Sequence, residues 1–76
     1  MTPDHYESLR VAPGADDAVI RAAYRALMRT YHPDRNQDPE AQARVREITA
    51  AFAVLGNPAK RAAYDAARSF GDELAI

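Results

Sequence analysis

Apolar residues recur every three or four positions in two stretches of similar length, and this periodicity restricts the chain to a helical fold. Such spacing places the apolar side chains on one face of an α-helix. No run of β-branched and aromatic residues alternates with a period of two, so strands are not indicated. The sequence therefore predicts an all-α fold. The two predicted apolar faces consist of Ile20, Ala23, Tyr24, Leu27, Met28 and Tyr31, and of Ala41, Val45, Ile48, Phe52 and Leu55.

Helix starts are marked by a side-chain oxygen followed by a proline. The oxygen caps free backbone N–H groups, and proline at the first helical position has no N–H to satisfy. Asp16 marks a further start after a Pro-Gly turn, and Gly56 is expected to end the third helix in a left-handed conformation. The cap–proline pairs are Thr2-Pro3, Asp38-Pro39 and Asn57-Pro58, and the predicted helices cover residues 3–10, 16–31, 39–55 and 58–68.

The two long helices have matched lengths and facing apolar stripes, which predicts an antiparallel hairpin at the centre of a four-helix fold. Residues 32–38 connect them. Two short flanking helices would cover the open sides of the hairpin. We assign residues 1–68 to this domain and residues 69–76 to a C-terminal tail or truncated linker. The flanking core residues are Tyr6 and Leu9 from the first helix and Ala63 and Tyr64 from the fourth.

Composition excludes several classes of function. The 76 residues contain no cysteine, which rules out disulfides, thiolate zinc sites and a cysteine nucleophile. No apolar run is long enough to cross a bilayer, and the N-terminus lacks the features of a signal peptide. We therefore expect a cytoplasmic domain, monomeric in isolation, without membrane insertion, metal or cofactor. A net charge of −1 also argues against nucleic acid as a partner.

Charge is nevertheless segregated along the chain. Residues 18–35 carry four arginines against one aspartate, a balance of +3, whereas residues 1–17 carry one arginine against four acids, a balance of −3. Arg21, Arg25 and Arg29 recur at intervals of four and form one face of the second helix, which we call the basic stripe. We expect no acidic neighbours for these arginines, and therefore an acidic partner surface.

The segment between the long helices has an unusual composition for a helix stop. Pro33 forces His32 out of helical geometry, and the carboxylate of Asp34 is expected to fold back on the backbone as an Asx turn. A simple stop needs only proline or glycine. The imidazole, carboxylate and guanidinium groups at His32, Asp34 and Arg35 therefore indicate a functional loop.

Over residues 4–68 the sequence resembles the J domain of DnaJ-type co-chaperones. His-Pro-Asp alone is a weak signal, but its position between two helices of this pattern is specific. The segments that carry the resemblance are Asp4–Val11, Ile20–Arg25, Tyr31–Asn36, Glu47-Ile48, Phe52–Leu55 and Lys60–Asp65.

This resemblance implies a domain that binds a DnaK-class chaperone in its ATP state and stimulates hydrolysis, without being an enzyme itself. Arg21 and Arg25 would hold the partner's acidic surface, and Tyr24 would contribute at the edge of the basic stripe. In the loop, Asp34 would engage a basic group of the chaperone. His32 and Pro33 would shape the loop, and Arg35 and Asn36 would be flanking contacts.

The sequence departs from the family pattern at four positions. Arg10 stands where glycine is usual, and Val45 stands where phenylalanine is frequent. Ala26 and Thr30 stand where basic residues are common, so the exposed face of the second helix carries less positive charge than is usual.

Other functions fit less well. A J-like module that binds without stimulating ATPase activity is opposed by the intact His-Pro-Asp tripeptide. A helix-turn-helix DNA-binding domain uses a turn of about three or four residues, shorter than the connection here. A hydrolase lacks a nucleophile motif, because neither Ser8 nor Ser69 lies in one, and His5 with His32 would need scattered carboxylates to bind a metal.

Overall fold

The computed structural model describes the backbone of residues 4–74 and the side chains of residues 4–68. Within this range the chain forms four helices and no strand, which confirms the all-α prediction. The helices are α1 (His5–Ser8), α2 (Asp17–Tyr31), α3 (Pro39–Leu55) and α4 (Pro58–Leu74).

Two of the predicted helix caps are confirmed. The carboxylate of Asp38 accepts a hydrogen bond from the Glu40 N–H at 2.9 Å, and the Asn57 amide oxygen accepts from two N–H groups of the first turn of α4. Asp16 occupies the N-cap position of α2, but its side chain makes no capping hydrogen bond, so its predicted role was wrong.

The first helix begins later than predicted. Asp4 caps α1 by accepting from the Tyr6 N–H at 2.8 Å, so the helix starts at His5 rather than at residue 3. Asp4 follows the proline in sequence and offers a carboxylate at the correct distance from the second helical N–H. The predicted cap Thr2 lies outside the described residues.

Helix α3 lies at the centre of the fold and packs against each of the other three helices. Tyr24 in the middle of α2 contacts Phe52 near the end of α3, and Tyr31 at the end of α2 lies beside Ala41 at the start of α3. Helices α2 and α3 are therefore antiparallel, as predicted. The fully buried core consists of Tyr6, Leu9, Ile20, Ile48, Ala51 and Leu55.

The flanking core prediction was partly right. Tyr6 and Leu9 are buried and Tyr64 is half-buried, but Ala63 is exposed. Ala51, which we did not predict, is completely buried. A small side chain at this position of α3 lets another element approach closely, and apolar periodicity alone does not reveal which alanines serve that role.

Gly56 ends α3 as predicted but not in a left-handed conformation, because its φ is −80°. Its small size has a different function. A Cβ at this position would lie 2.9 Å from two ring atoms of Phe52 and 2.8 Å from its carbonyl oxygen. The absence of a side chain at Gly56 therefore gives the Phe52 ring room to pack.

Helix α4 continues to Leu74, so the predicted end at residue 68 was wrong. No proline follows residue 68, and a single glycine within a helix costs only about 1 kcal/mol. The Arg68 guanidinium also forms an ion pair with Asp4 at 2.8 Å, which ties this part of α4 to the start of α1. The division into a domain of residues 1–68 and a tail of residues 69–76 stays a prediction.

A polar network joins α4 to the first part of the chain. The buried Tyr6 hydroxyl donates to Asp65 at 2.5 Å and accepts from the Arg61 Nε at 3.1 Å. Arg61 also donates to the carbonyl oxygens of Pro13 and Ala15, at 3.2 and 2.7 Å. Arg61 therefore fixes both the phenol of α1 and the loop that leads into α2.

Burial raises the pKa of the Tyr6 phenol above its ordinary value, and the hydrogen bond to Asp65 adds to this effect, while Arg61 opposes it. The folded state therefore holds the phenolic proton more tightly than the unfolded chain does. The corresponding contribution to stability is complete below pH 10 and is lost as the pH rises through the raised pKa.

We predict that the free energy of unfolding falls more steeply above pH 10 in the wild type than in Tyr6→Phe, because only the wild type releases this proton on unfolding. Urea unfolding at a series of pH values between about 9 and 11 measures both slopes. Equal slopes for wild type and Tyr6→Phe would contradict the assignment.

Arg10 adopts a left-handed conformation with φ of 56°, directly after the C-cap of α1. Its N–H donates to the Glu7 carbonyl oxygen at 3.0 Å, which closes the turn. A side chain in this region costs about 1 kcal/mol relative to glycine. The glycine that the family usually shows here thus has a conformational reason, and Arg10 keeps the same turn at a cost in stability.

We predict that Arg10→Gly raises the free energy of unfolding by about 1 kcal/mol, because glycine adopts this conformation without strain. Arg10→Ala is the matched control: it also removes the charged side chain but keeps a Cβ, so its stability should stay within about 0.5 kcal/mol of wild type. Chemical denaturation followed by circular dichroism measures both. A gain in Arg10→Ala equal to that in Arg10→Gly would show that charge, not strain, is responsible.

Candidate functional site

The His-Pro-Asp loop is organised by His32. Helix α2 ends at Tyr31, and His32 is extended, as expected for a residue before proline. The carbonyl oxygen of His32 accepts from the N–H groups of Arg35 and Asn36, both at 2.9 Å. Its ring Nδ1 accepts from the Asp34 N–H at 3.2 Å. One residue therefore satisfies three successive backbone donors of the loop.

Asp34 projects from this loop into solvent, with 90% of its side chain exposed. Its carboxylate does not form the predicted Asx turn, because His32 already supplies the acceptors for the neighbouring N–H groups. The nearest positively chargeable group is the His32 Nδ1, 3.6 Å from a carboxylate oxygen. Asp34 is thus held in position by its backbone and is free to accept hydrogen bonds from a partner.

Asn36 has a structural role in the loop. Its side-chain oxygen accepts from the Asp38 N–H at 3.1 Å, directly before the start of α3. Asn36 is half-buried and lies beside Tyr31 and Arg44, on a different part of the surface from the exposed face of α2. The structure therefore separates Asn36 from the other predicted contact residues on α2.

The basic stripe of α2 is not uniform. Arg21 forms an ion pair with Asp17 at 2.8 Å, so the expectation that it has no acidic neighbour was wrong. Asp17 lies four residues earlier on the same helix, the spacing that brings two side chains together. Arg21 also donates to the Gly56 carbonyl oxygen at 3.4 Å and lies 5.8 Å from the centre of the Phe52 ring.

Farther along the stripe, Arg25 and Arg29 are exposed, and neither has an ion pair within the part of the chain that the structure describes. The Arg29 Nε points back to the Arg25 carbonyl oxygen at 3.5 Å. The positive charge available to a partner is therefore concentrated at the end of α2 nearest the loop.

An open groove of about 460 Å³ lies beside the loop. Its wall includes Tyr24, whose ring stacks on Phe52 with 4.1 Å between ring centres and 13° between planes. The predicted contact residues Tyr24, Arg25, His32 and Arg35 all meet here, whereas Arg21, Pro33, Asp34 and Asn36 do not line it. Met28 and Arg29 complete the lining.

We did not select Met28 and Arg29 as contact residues, since Met28 was assigned to the core and Arg29 only to the basic stripe. A signal for Met28 was present in the sequence. Tyr24, Met28 and His32 follow one another at intervals of four and therefore share a helix face that runs into the loop.

The chemistry of the site suits binding. It offers guanidinium groups on a helix and one exposed carboxylate on a fixed loop. Among the side chains of residues 4–68, no cluster of three or more potential metal-binding groups occurs. Over the same range, none of the helices has the length and hydrophobicity required to span a bilayer.

Three helices packed around α3, with the His-Pro-Asp loop between α2 and α3, define an all-α module of the J-domain type. The model of the DnaJ domain family matches residues 4–65, and the chain belongs to this family. The resemblance stated from the sequence motifs is thereby confirmed.

The relatives of this chain include bacterial chaperones that are much longer than it. It is 52% identical over 66 residues to proteins named chaperone protein DnaJ from Brucella canis, Brucella suis and Brucella melitensis. The match covers 86% of this chain but only 18% of each relative. The chain thus spans less than a fifth of the length of these curated relatives.

Proposed function

We propose that this J domain is a co-chaperone module that binds a DnaK-class chaperone and stimulates its ATP hydrolysis. The observation that carries the proposal is the exposure of Asp34 on a loop that His32 holds in place, next to a groove where His32 and Arg35 of this loop meet Arg25 and Arg29 of α2. Membership of the DnaJ domain family and similarity to DnaJ chaperones support the choice of partner. Such a partner would place the module, as a monomer, in the cytoplasm.

The arginines of α2 and the carboxylate of Asp34 would contribute to binding in different ways. Exposed charges such as those of Arg25 and Arg29 mainly accelerate encounter with an oppositely charged surface, and salt screens them. Asp34 would pair with a basic group that loses water in the complex. Removing one member of such a desolvated pair costs several kcal/mol, so Asp34 would control the response of the chaperone.

The J domain itself would carry out no chemistry. A ligand shifts a conformational equilibrium only by as much as it binds one state better than another. The module would therefore stimulate hydrolysis by binding tightly to the hydrolysis-competent arrangement of the chaperone. Because the loop is fixed by hydrogen bonds before binding, little ordering of the loop would be required on association.

We predict that Asp34→Asn abolishes stimulation of a DnaK-class ATPase without lowering the stability of the domain, because the exposed carboxylate makes no hydrogen bond within the domain. His32→Gln should also abolish stimulation, since the loop loses its ring acceptor. Single-turnover ATP hydrolysis measures stimulation, and thermal unfolding measures stability. Retained stimulation by Asp34→Asn would refute the role of this residue, whereas normal binding of the wild type without stimulation would favour a non-stimulating interaction module.

We predict that Arg25→Ala lowers the affinity for the chaperone about fivefold at low ionic strength and much less at about 0.5 M salt, because screening removes the charge attraction. Lys60→Ala removes a positive charge from α4, outside the groove, and should have little effect. Binding titrations at both salt concentrations measure the change. An equal loss at both would show that Arg25 acts by packing instead.

A further inference from the structure

His32 holds the loop through a ring nitrogen that accepts a hydrogen bond. The Asp34 N–H donates to the His32 Nδ1 at 3.2 Å. A ring nitrogen accepts only when it carries no proton, so this contact requires the neutral imidazole with its proton on Nε2. In a protonated imidazole both ring nitrogens are donors. The hydrogen bonding of the loop is therefore that of neutral His32.

The same nitrogen also lies near an oxygen to which it could donate. The Asp34 Oδ2 is 3.6 Å from the His32 Nδ1, just beyond hydrogen-bond distance. Nδ1 therefore faces a donor and an acceptor that belong to one residue. A proton on Nδ1 would break the bond from the backbone N–H. It would also allow a charge-assisted bond to the carboxylate at about 2.8 Å, a shortening of about 1 Å.

The surroundings of the His32 ring leave Asp34 as the acidic group that this proton would engage. The groove that contains the ring is lined by three guanidinium groups, an uncharged phenol and a thioether, those of Arg25, Arg29, Arg35, Tyr24 and Met28. No carboxylate is among these groups. The charged residues at the start of α3 line a separate pocket, which does not include His32, and they are Asp38, Glu40 and Arg44.

Protons in solvent have access to the ring, because 48% of the His32 side chain is exposed. The charge of a histidine ordinarily changes between about pH 5 and pH 8, whereas carboxyl groups ordinarily take up a proton near pH 4. A pH change in the first range therefore acts on imidazoles and spares ordinary carboxylates. The chain contains two histidines, and the other, His5, lies on α1 with its ring 4.8 Å from that of Tyr64.

We propose that His32 is a positioning residue whose protonation inactivates the site: the neutral ring leaves the Asp34 carboxylate free for the chaperone, and the protonated ring binds it. This proposal rests on the proposed function and adds a pH-dependent regulation of the same site. If only the neutral form is competent, the half-stimulating concentration rises in inverse proportion to the neutral fraction. It should double where half of the rings are protonated and rise about tenfold one pH unit lower.

The direction of this change distinguishes the proposal from a simple effect of charge. An imidazolium adds a positive charge beside three arginines, which would strengthen the attraction of an acidic partner surface. That effect alone would lower the half-stimulating concentration at acidic pH. Withdrawal of the Asp34 carboxylate predicts an increase instead.

The first measurement requires no partner. Nitrogen-15 NMR of the 76-residue chain, between about pH 5 and pH 8, reports the ring nitrogens of His32 and the backbone amide of Asp34. We expect the ring proton on Nε2 at the upper end of this range, and an Asp34 amide signal that moves with the same midpoint as the ring. A neutral ring protonated on Nδ1, or an Asp34 amide that does not follow the ring, would overturn the proposal.

The second measurement is the stimulation of a purified bacterial DnaK-class chaperone by increasing concentrations of the domain over the same pH range. Each rate is taken relative to the basal ATPase rate of the chaperone at that pH. His5→Phe is the matched control, because it removes the other imidazole and keeps an aromatic ring beside Tyr64. It should show the pH dependence of the wild type. Circular dichroism at each pH checks that the domain remains folded.

The outcomes separate the regulation from the proposed function. A half-stimulating concentration that rises with the midpoint of the His32 ring would support the regulation. A value that is unchanged or lower at acidic pH, or that rises at a clearly different pH, would overturn it and leave the proposed function standing. Loss of the pH dependence in His5→Phe would also overturn it. No stimulation by the wild type at any pH would overturn both proposals.

Discussion

The packing of three helices onto the apolar face of α3 is the constraint on which the rest of the structure depends. Ile48, Ala51 and Leu55 on α3 are fully buried against Tyr6 of α1, Leu9 at its C-cap and Ile20 of α2. In a chain of 76 residues such a small core buries little apolar surface, so it provides only a small free energy of unfolding. Polar groups therefore contribute to holding the elements together, and the Arg61 network is the main example, since it joins α1, the following loop and α4.

This core explains how a small domain can offer a rigid binding surface. The loop is not held by the core directly, because His32, Asp34 and Arg35 are all exposed. It is held by its position between two helices that are packed along their length, and by the hydrogen bonds that His32 accepts. Rigidity is thus obtained from local hydrogen bonding at a point where apolar burial is absent, which leaves the charged groups accessible to a partner.

The helical pattern, the hairpin and the location of the loop followed from the sequence because they depend on periodicity and on proline, which act locally. Errors arose where two residues compete for the same role. Asp4 replaced Thr2 as the cap of α1, and His32 replaced Asp34 as the acceptor in the loop. Arg21 was taken as free although Asp17 lies one turn earlier. Which candidate wins such a competition depends on distances that a linear pattern does not contain.

Gly56 links the end of α3 to the exposed surface of α2. It leaves space for Phe52, and Phe52 in turn supports the Tyr24 ring at the groove. The surface that faces a partner is therefore sensitive to a backbone position more than twenty residues away in sequence, on the opposite side of the hairpin. A methyl group added at Gly56 would displace the Phe52 ring, and this displacement would reach the Tyr24 ring that stacks on it and alter the shape of the groove.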